Sequence, residues 1–234
     1  MNDVTNLDAR LAGPLLLLGG AGEALVPGLD WLAGHIGSTG SILLIPQAWP
    51  PSRHGDCAAL MTPLFGRVAV AANRLVTASD LAGSGGNLGR HDAVYLCGGN
   101  TFALLAAMRA SRFVSALDAY RHAGGIVAGN SAGAIVLGRS IHHAHDPNDV
   151  GLADCSGCDW LSGYSVWCHY SPAAHDAEIE DKMLGRGLPV VALRDESAIT
   201  RDAAGHWASC PGAAGAAFFE GHGSGGSSRW GAAS

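Results

Sequence analysis

A serine between two small-residue pairs, at the end of an apolar run, is the first group in this chain that could do chemistry. It is Ser131 in Gly129-Asn130-Ser131-Ala132-Gly133, preceded by Ile126-Val127-Ala128 and followed by a second apolar run. The pattern reads as strand, sharp turn and helix with the serine at the apex. A nucleophile elbow needs this pattern: the apex residue is held in a strained conformation, so the positions two before and two after it must be small. The plain alternative is a glycine-rich turn in which Ser131 caps the next helix. Short matches of this kind also arise by chance.

A serine hydroxyl needs a base, and the base needs an orienting carboxylate. Eleven histidines are available. His142, His143 and His145 lie close behind the elbow, where a histidine is ordinarily a solvated loop residue. His169 differs, because it ends the candidate strand Tyr164–Cys168 and so falls at a sheet edge; the alternative there is a satisfied buried histidine. Asp146, before Pro147, is by itself an ordinary turn aspartate. Cys155-x-x-Cys158 with Cys168-His169 can be drawn as a zinc site, but the ligand set is incomplete for a structural one. No metal or cofactor is expected.

The elements that must position these groups are short and uniformly apolar. Leu15–Leu18, Ser41–Ile45, Ala93–Leu96, Ile126–Ala128 and Val190–Leu193 read as buried strands, and Leu75–Thr77 as a weaker one. Helical spacing appears between them, over Leu25 to Ile36, Leu60 to Ala72 (with Leu60, Leu64 and Val68 on one face), Leu104 to Met108 and Phe113 to Tyr120. Alternation of strands and helices predicts a mostly parallel sheet covered on both faces, with chemistry at the carboxyl ends of the strands. Ser131 and the turn Gly98-Gly99-Asn100 both lie at such ends. Ser84–Gly89 reads as a surface loop, 139–163 as loop, and Arg194–Thr200 as the turn and second arm of a hairpin. Residues 1–220 form one domain on this reading, and the Gly/Ser-rich stretch 221–234 a frayed tail.

Composition narrows the function. Of the 234 residues 48% are hydrophobic and 15% charged, and the net charge is −6 with a single lysine, Lys182. A sizeable core is available, and nucleic acid and anionic membrane surfaces are excluded as expected partners. The longest apolar run is too short to span a bilayer, and the N-terminus lacks the pattern of a signal peptide. The expectation is a cytoplasmic protein with six free thiols.

Cys97-Gly98-Gly99-Asn100-Thr101-Phe102-Ala103-Leu104-Leu105, followed by Gly129-Asn130-Ser131-Ala132-Gly133-Ala134, resembles the cyanophycinase and aspartyl dipeptidase (dipeptidase E) family of serine peptidases. The likeness runs from about Leu15 to Ile199. It implies a three-layer α/β/α sandwich of the glutamine-amidotransferase-like kind and a Ser-His-acid triad acting on a small peptide. Carried onto this chain, Ser131 matches the nucleophile, His169 the base and Asp146 the acid, with Asp154 and Asp159 as reserve acids. Gly99 and Ala132 match the backbone N–H groups of the oxyanion hole, and Gly98, Asn100, Thr101 and Asn130 fall to the substrate site. Two positions depart from the family pattern. Cys168 stands where proline usually precedes the histidine. Ile179-Glu180-Asp181-Lys182-Met183 stands where the dipeptidases carry an arginine for an acidic substrate side chain, and Lys182 lacks the bidentate fork. A non-catalytic binding protein on the same fold is the alternative from a different class, and the monomer or homodimer state is open.

Overall fold

The computed structural model describes residues 12–221 and 227–230. The chain alternates strand and helix: β1 (Leu15–Leu18), α1 (Val26–Ile36), β2 (Ile42–Ile45), α2 (His54–Arg67), β3 (Leu75–Thr77), α3 (Leu81–Gly85), β4 (Ala93–Leu96), α4 (Thr101–Ala110), α5 (Phe113–His122), β5 (Ile126–Asn130) and α6 (Ala132–Ile135). It then builds β6 (Ser165–Trp167), α7 (Pro172–Lys182), β7 (Val190–Leu193), β8 (Ala198–Arg201), β9 (Trp207–Ser209), β10 (Ala216–Gly221) and β11 (Ser227–Trp230). The main sheet has the order β3-β2-β4-β5-β1-β8-β9, parallel from β3 to β1 and antiparallel beyond it. The second sheet has the order β11-β10-β7-β6. A mostly parallel central sheet flanked by helices is the expected α/β architecture.

Both faces of the main sheet are buried, which is why its strands are apolar without alternation. Successive residues still point to opposite sides. Leu15 and Leu17 pack with Leu43, Val94 and Val127 under α4, α5 and α6. Leu16 and Leu18 pack with Leu44, Tyr95 and Ala128 under α1 and α2. The parallel pairing of β1 with β5 runs from Leu15 against Val127 to Leu18 against Asn130, so both strands deliver their ends to one edge of the sheet. No helix among the described residues is long and apolar enough to cross a membrane.

Four elements differ from expectation. The second helix starts earlier and ends earlier, at His54–Arg67, and buries Cys57, Met61 and Phe65; Leu60 is 59% exposed. The expected surface loop Ser84–Gly89 begins inside α3, because Asp80 accepts from Gly83 N–H at 2.6 Å as its cap and Leu81 anchors the helix in the core. Val190–Leu193 and Ala198–Arg201 do not form a hairpin. The first pairs with β6 and β10, the second with β1 and β9, and the turn between them crosses from one sheet to the other. Finally, part of the expected tail is strand: β11 pairs antiparallel with β10, Phe218 against Trp230. Gly221 ends β10, and the other residues expected in the tail, 222–226 and 231–234, lie outside those described.

Candidate active site

Ser131 sits between β5 and α6 with φ 48° and ψ −116°, a conformation that costs a non-glycine residue about 1–3 kcal/mol. The surroundings hold it there. Its N–H donates to Leu18 O at 3.0 Å, and its carbonyl accepts from Ala134 and Ile135 N–H, both at 2.9 Å. A Cβ on Gly129 would lie 2.4 Å from Gly133, and one on Gly133 would lie 2.0 Å from Leu96 O. The two glycines thus let the strand, the turn and the neighbouring β4 close on each other, as the sequence pattern implies.

His169 follows β6, also at positive φ, 56°. Its N–H donates to Gly19 O at 3.3 Å, and the next residue, Tyr170, donates to Leu193 O at 2.9 Å. The first bond ties the end of the second sheet to the end of β1, and the second holds the end of β6 to the end of β7. The ring bridges the site: Nε2 is 2.9 Å from Ser131 Oγ, and Nδ1 is 2.6 Å from Asp195 Oδ1. With Nδ1–H donating to the carboxylate, Nε2 is left as acceptor for the Ser131 hydroxyl. Cys168, where the family has proline, is buried, and its thiol approaches Ser131 O at 3.7 Å. Burial pushes its ionisation up, so it packs under the elbow as a neutral thiol.

The carboxylate on His169 is therefore Asp195, and the expected Asp146 is elsewhere. Asp146 Oδ2 accepts from Thr101 N–H at 2.9 Å and from Thr101 Oγ1–H at 2.6 Å. It anchors the 139–163 segment to the start of α4. Asp154 pairs with Arg109 at 3.1 Å, and Asp159 closes a local turn onto Gly163 N–H at 3.0 Å. Asp195 was not among the sequence candidates, yet one signal pointed to it: it stands two residues beyond the clear apolar strand β7, where strand ends present chemistry. Close approach is the complementary sign, since a Cβ on Gly20 would lie 2.5 Å from Asp195 O.

The residues expected in the oxyanion hole lie in the turn after β4 and at the start of α6. In the turn after β4, Cys97 N–H bonds Ile45 O, Gly98 N–H bonds Asn130 Oδ1, Asn100 N–H bonds Ala48 O and Thr101 N–H bonds Asp146. Gly99 N–H alone of these has no acceptor among the described residues. Ala132 opens α6, so its N–H has no partner within the helix. The expected substrate residues mostly serve the frame. Asn130 bridges Gly98 N–H and Gly20 O, the latter at 3.3 Å. Asn100 caps α4 through Ala103 N–H at 2.8 Å and donates to Pro147 O at 2.8 Å. Thr101 is fully buried. Of the four, Gly98 and Asn130 reach the cavity of about 660 Å³ that opens beside Ser131. Lys182 does not take the place of the family arginine: its ammonium bonds Glu178 at 2.6 Å, holding that carboxyl below its ordinary range.

The sequence model of peptidase family S51 matches residues 15–205. Two solved structures share the fold. One is of a candidate peptidase E protein from Listeria monocytogenes EGD-e, with a TM-score of 0.66 and 17% identity, covering 85% of this chain and 98% of that one. The other is of a peptidase from an acI-B1 Actinobacterium, with a TM-score of 0.68 and 16% identity, covering 95% of this chain and 96% of that one. No curated protein matches the chain. With the family match spanning most of its length, the chain belongs to peptidase family S51, the serine peptidases.

Proposed function

We propose that this protein hydrolyses a peptide or isopeptide bond in small peptides through Ser131, His169 and Asp195, as a dipeptidase-type exopeptidase. The observation that carries this reading is the chain of two short contacts, Ser131 Oγ to His169 Nε2 at 2.9 Å and His169 Nδ1 to Asp195 at 2.6 Å, mounted on a strained elbow. His169 takes the hydroxyl proton as Oγ attacks the carbonyl carbon. The alkoxide formed is held by the N–H groups of Gly99 and Ala132, which need no reorganisation as charge develops. Asp195 keeps the imidazole in the required tautomer and stabilises the imidazolium. When the C–N bond breaks, His169 gives the proton to the leaving amine; water, deprotonated by the same ring, then hydrolyses the acyl-enzyme. The free thiols of the cysteines suit a reducing compartment and support a cytoplasmic location.

The test is covalent labelling together with turnover. A fluorophosphonate modifies Ser131 in the native protein, and Ser131→Ala abolishes labelling and lowers kcat on a responsive dipeptide on the order of 10⁶-fold. Folded protein that neither labels nor turns over any member of a dipeptide and isopeptide library overturns the peptidase reading in favour of a binding protein on the same fold.

A further inference from the structure

The cavity beside Ser131 runs between the Gly98-Gly99 turn and α2, and its volume of about 660 Å³ lies within the range of about 300–1,000 Å³ usual for small-molecule sites. Its walls are apolar: Leu25, Leu60, Met61, Leu64 and Trp49 line it. Trp49 is fixed by donating from Nε1 to Gly98 O at 2.8 Å. Two charged side chains, Glu23 and Arg67, also line it, and they are bonded to each other in an exposed pair. A carboxylate entering this space would leave water for hydrocarbon, and the guanidinium groups at its edge are each paired already, Arg67 with Glu23, and Arg53, which stacks on Trp49, with Asp56.

The position of the cavity says which part of a substrate it receives. Gly98, Gly99 and Ser131 line it, whereas neither His169 nor Asp195 does among the described residues. The leaving amine must collect its proton from His169, so it departs on the histidine's side of the serine. The space on the oxyanion side is left for the acyl part.

We propose that the acyl-side group this enzyme takes is a bulky apolar side chain, aromatic or long aliphatic, and not an acidic one. The inference rests on Ser131 being the nucleophile, as proposed above. It also gives a use to Leu60, which is 59% exposed on α2 and lines the cavity; Cys57, Met61 and Leu64 beside it both pack on the core and line the cavity.

Diphenyl α-aminoalkylphosphonates test this without requiring turnover. Ser131 Oγ attacks phosphorus, the P–O bond to one phenoxide breaks, and the serine proton leaves with it through His169; intact mass reports the adduct. With probes bearing the side chains of Phe, Leu, Ala and Asp, the expected result is that Phe and Leu react at least about tenfold faster than Ala and Asp. An Asp probe that matches or outpaces the Leu probe overturns the inference. Diisopropyl fluorophosphate, small and uncharged, separates the two levels. If it modifies Ser131 while the four probes react equally, the apolar preference alone fails; if it leaves Ser131 of the folded protein unmodified, the nucleophile assignment fails and this inference with it. Leu60→Arg supplies a second arm at an exposed position, by placing a cation on the cavity wall. It is expected to raise the Asp-to-Leu rate ratio by about fivefold or more, and an unchanged ratio overturns the assignment of the cavity to the acyl side.

Discussion

Asp195 accepts from His169 Nδ1 at 2.6 Å although its side chain is 58% exposed. What it supplies is orientation and a fixed tautomer rather than a buried field. Asp195→Asn removes the preference for protonated Nδ1, and kcat is expected to fall by about 10³- to 10⁴-fold with little change in folding stability. Asp146→Ala should do the opposite. It leaves the buried Thr101 hydroxyl without its acceptor and unfastens the 139–163 segment, costing about 1–2 kcal/mol, while kcat stays within a few-fold. Urea unfolding and steady-state kinetics on both variants check the pair, and a large kcat loss confined to Asp146→Ala would return the acid role to that residue. Ser131 was legible because it lies inside a short local pattern of strand, glycine and turn, whereas the roles of His169, Gly99 and Ala132 came with the family resemblance. Asp195 was not legible, because its partnership spans two sheets and depends on how β7 hands the chain to β8. Asp146 drew attention by standing near the elbow in sequence, but its carboxylate is spent on a helix start.

At the scale of elements, uniformly apolar strands announced a doubly covered sheet, and residue-by-residue alternation between the two cores confirms why they need no polar face. The expected face of helix α2, Leu60, Leu64 and Val68, packs only in part: Val68 is buried and Leu64 packs on the core, whereas Leu60 is exposed and lines the cavity, and the buried stripe runs through Cys57, Met61 and Phe65. Periodicity finds apolar faces without saying whether protein or ligand covers them. The loop behind the elbow holds a second case. His143 donates from Nε2 to Val166 O at 2.7 Å and stacks on Trp167 of β6, ring centroids 4.9 Å apart. Burial pushes its pKa down to about 4 from 6.5, aided by repulsion from His145 and His142 and opposed by the Val166 hydrogen bond and Glu178. The unfolded chain therefore binds a proton below about pH 6.5 that the folded chain refuses until about pH 4. Stability from this source is lost as pH falls through that window, by up to about 3 kcal/mol. In His143→Gln that loss should disappear, so the drop in urea midpoint between pH 7 and pH 4.5 becomes smaller than in the parent. Equal drops in the two proteins would place the acid sensitivity elsewhere.

Over the whole molecule, the site is a joint between two sheets. The first contributes Ser131 and the cavity, the second contributes His169 at the end of β6, and Asp195 stands on the crossing from β7 to β8. The geometry of the proposed triad thus depends on contacts that hold the sheets in register as well as on the residues themselves. An aromatic cluster provides such contacts away from the chemistry: Trp207 of β9 meets Phe218 of β10 with ring centroids 5.5 Å apart, and Tyr164, just before β6, packs edge-on against both at 6.5 and 5.9 Å. Trp207→Ala removes the member that belongs to the first sheet. It is expected to cost about 2 kcal/mol, less than a fully buried tryptophan because Trp207 is only half-buried. The kinetic consequence should be uneven. A shift of His169 against Ser131 by a fraction of an ångström lowers kcat by about 10- to 100-fold, whereas KM for a small apolar substrate holds, because Leu25, Met61, Leu64 and the Gly98-Gly99 turn all belong to the first sheet and its helices. Trp207→Phe, which keeps the edge-to-face packing, should recover most of kcat. A raised KM at unchanged kcat in Trp207→Ala would mean that the sheets meet in substrate binding rather than in aligning the base with the nucleophile.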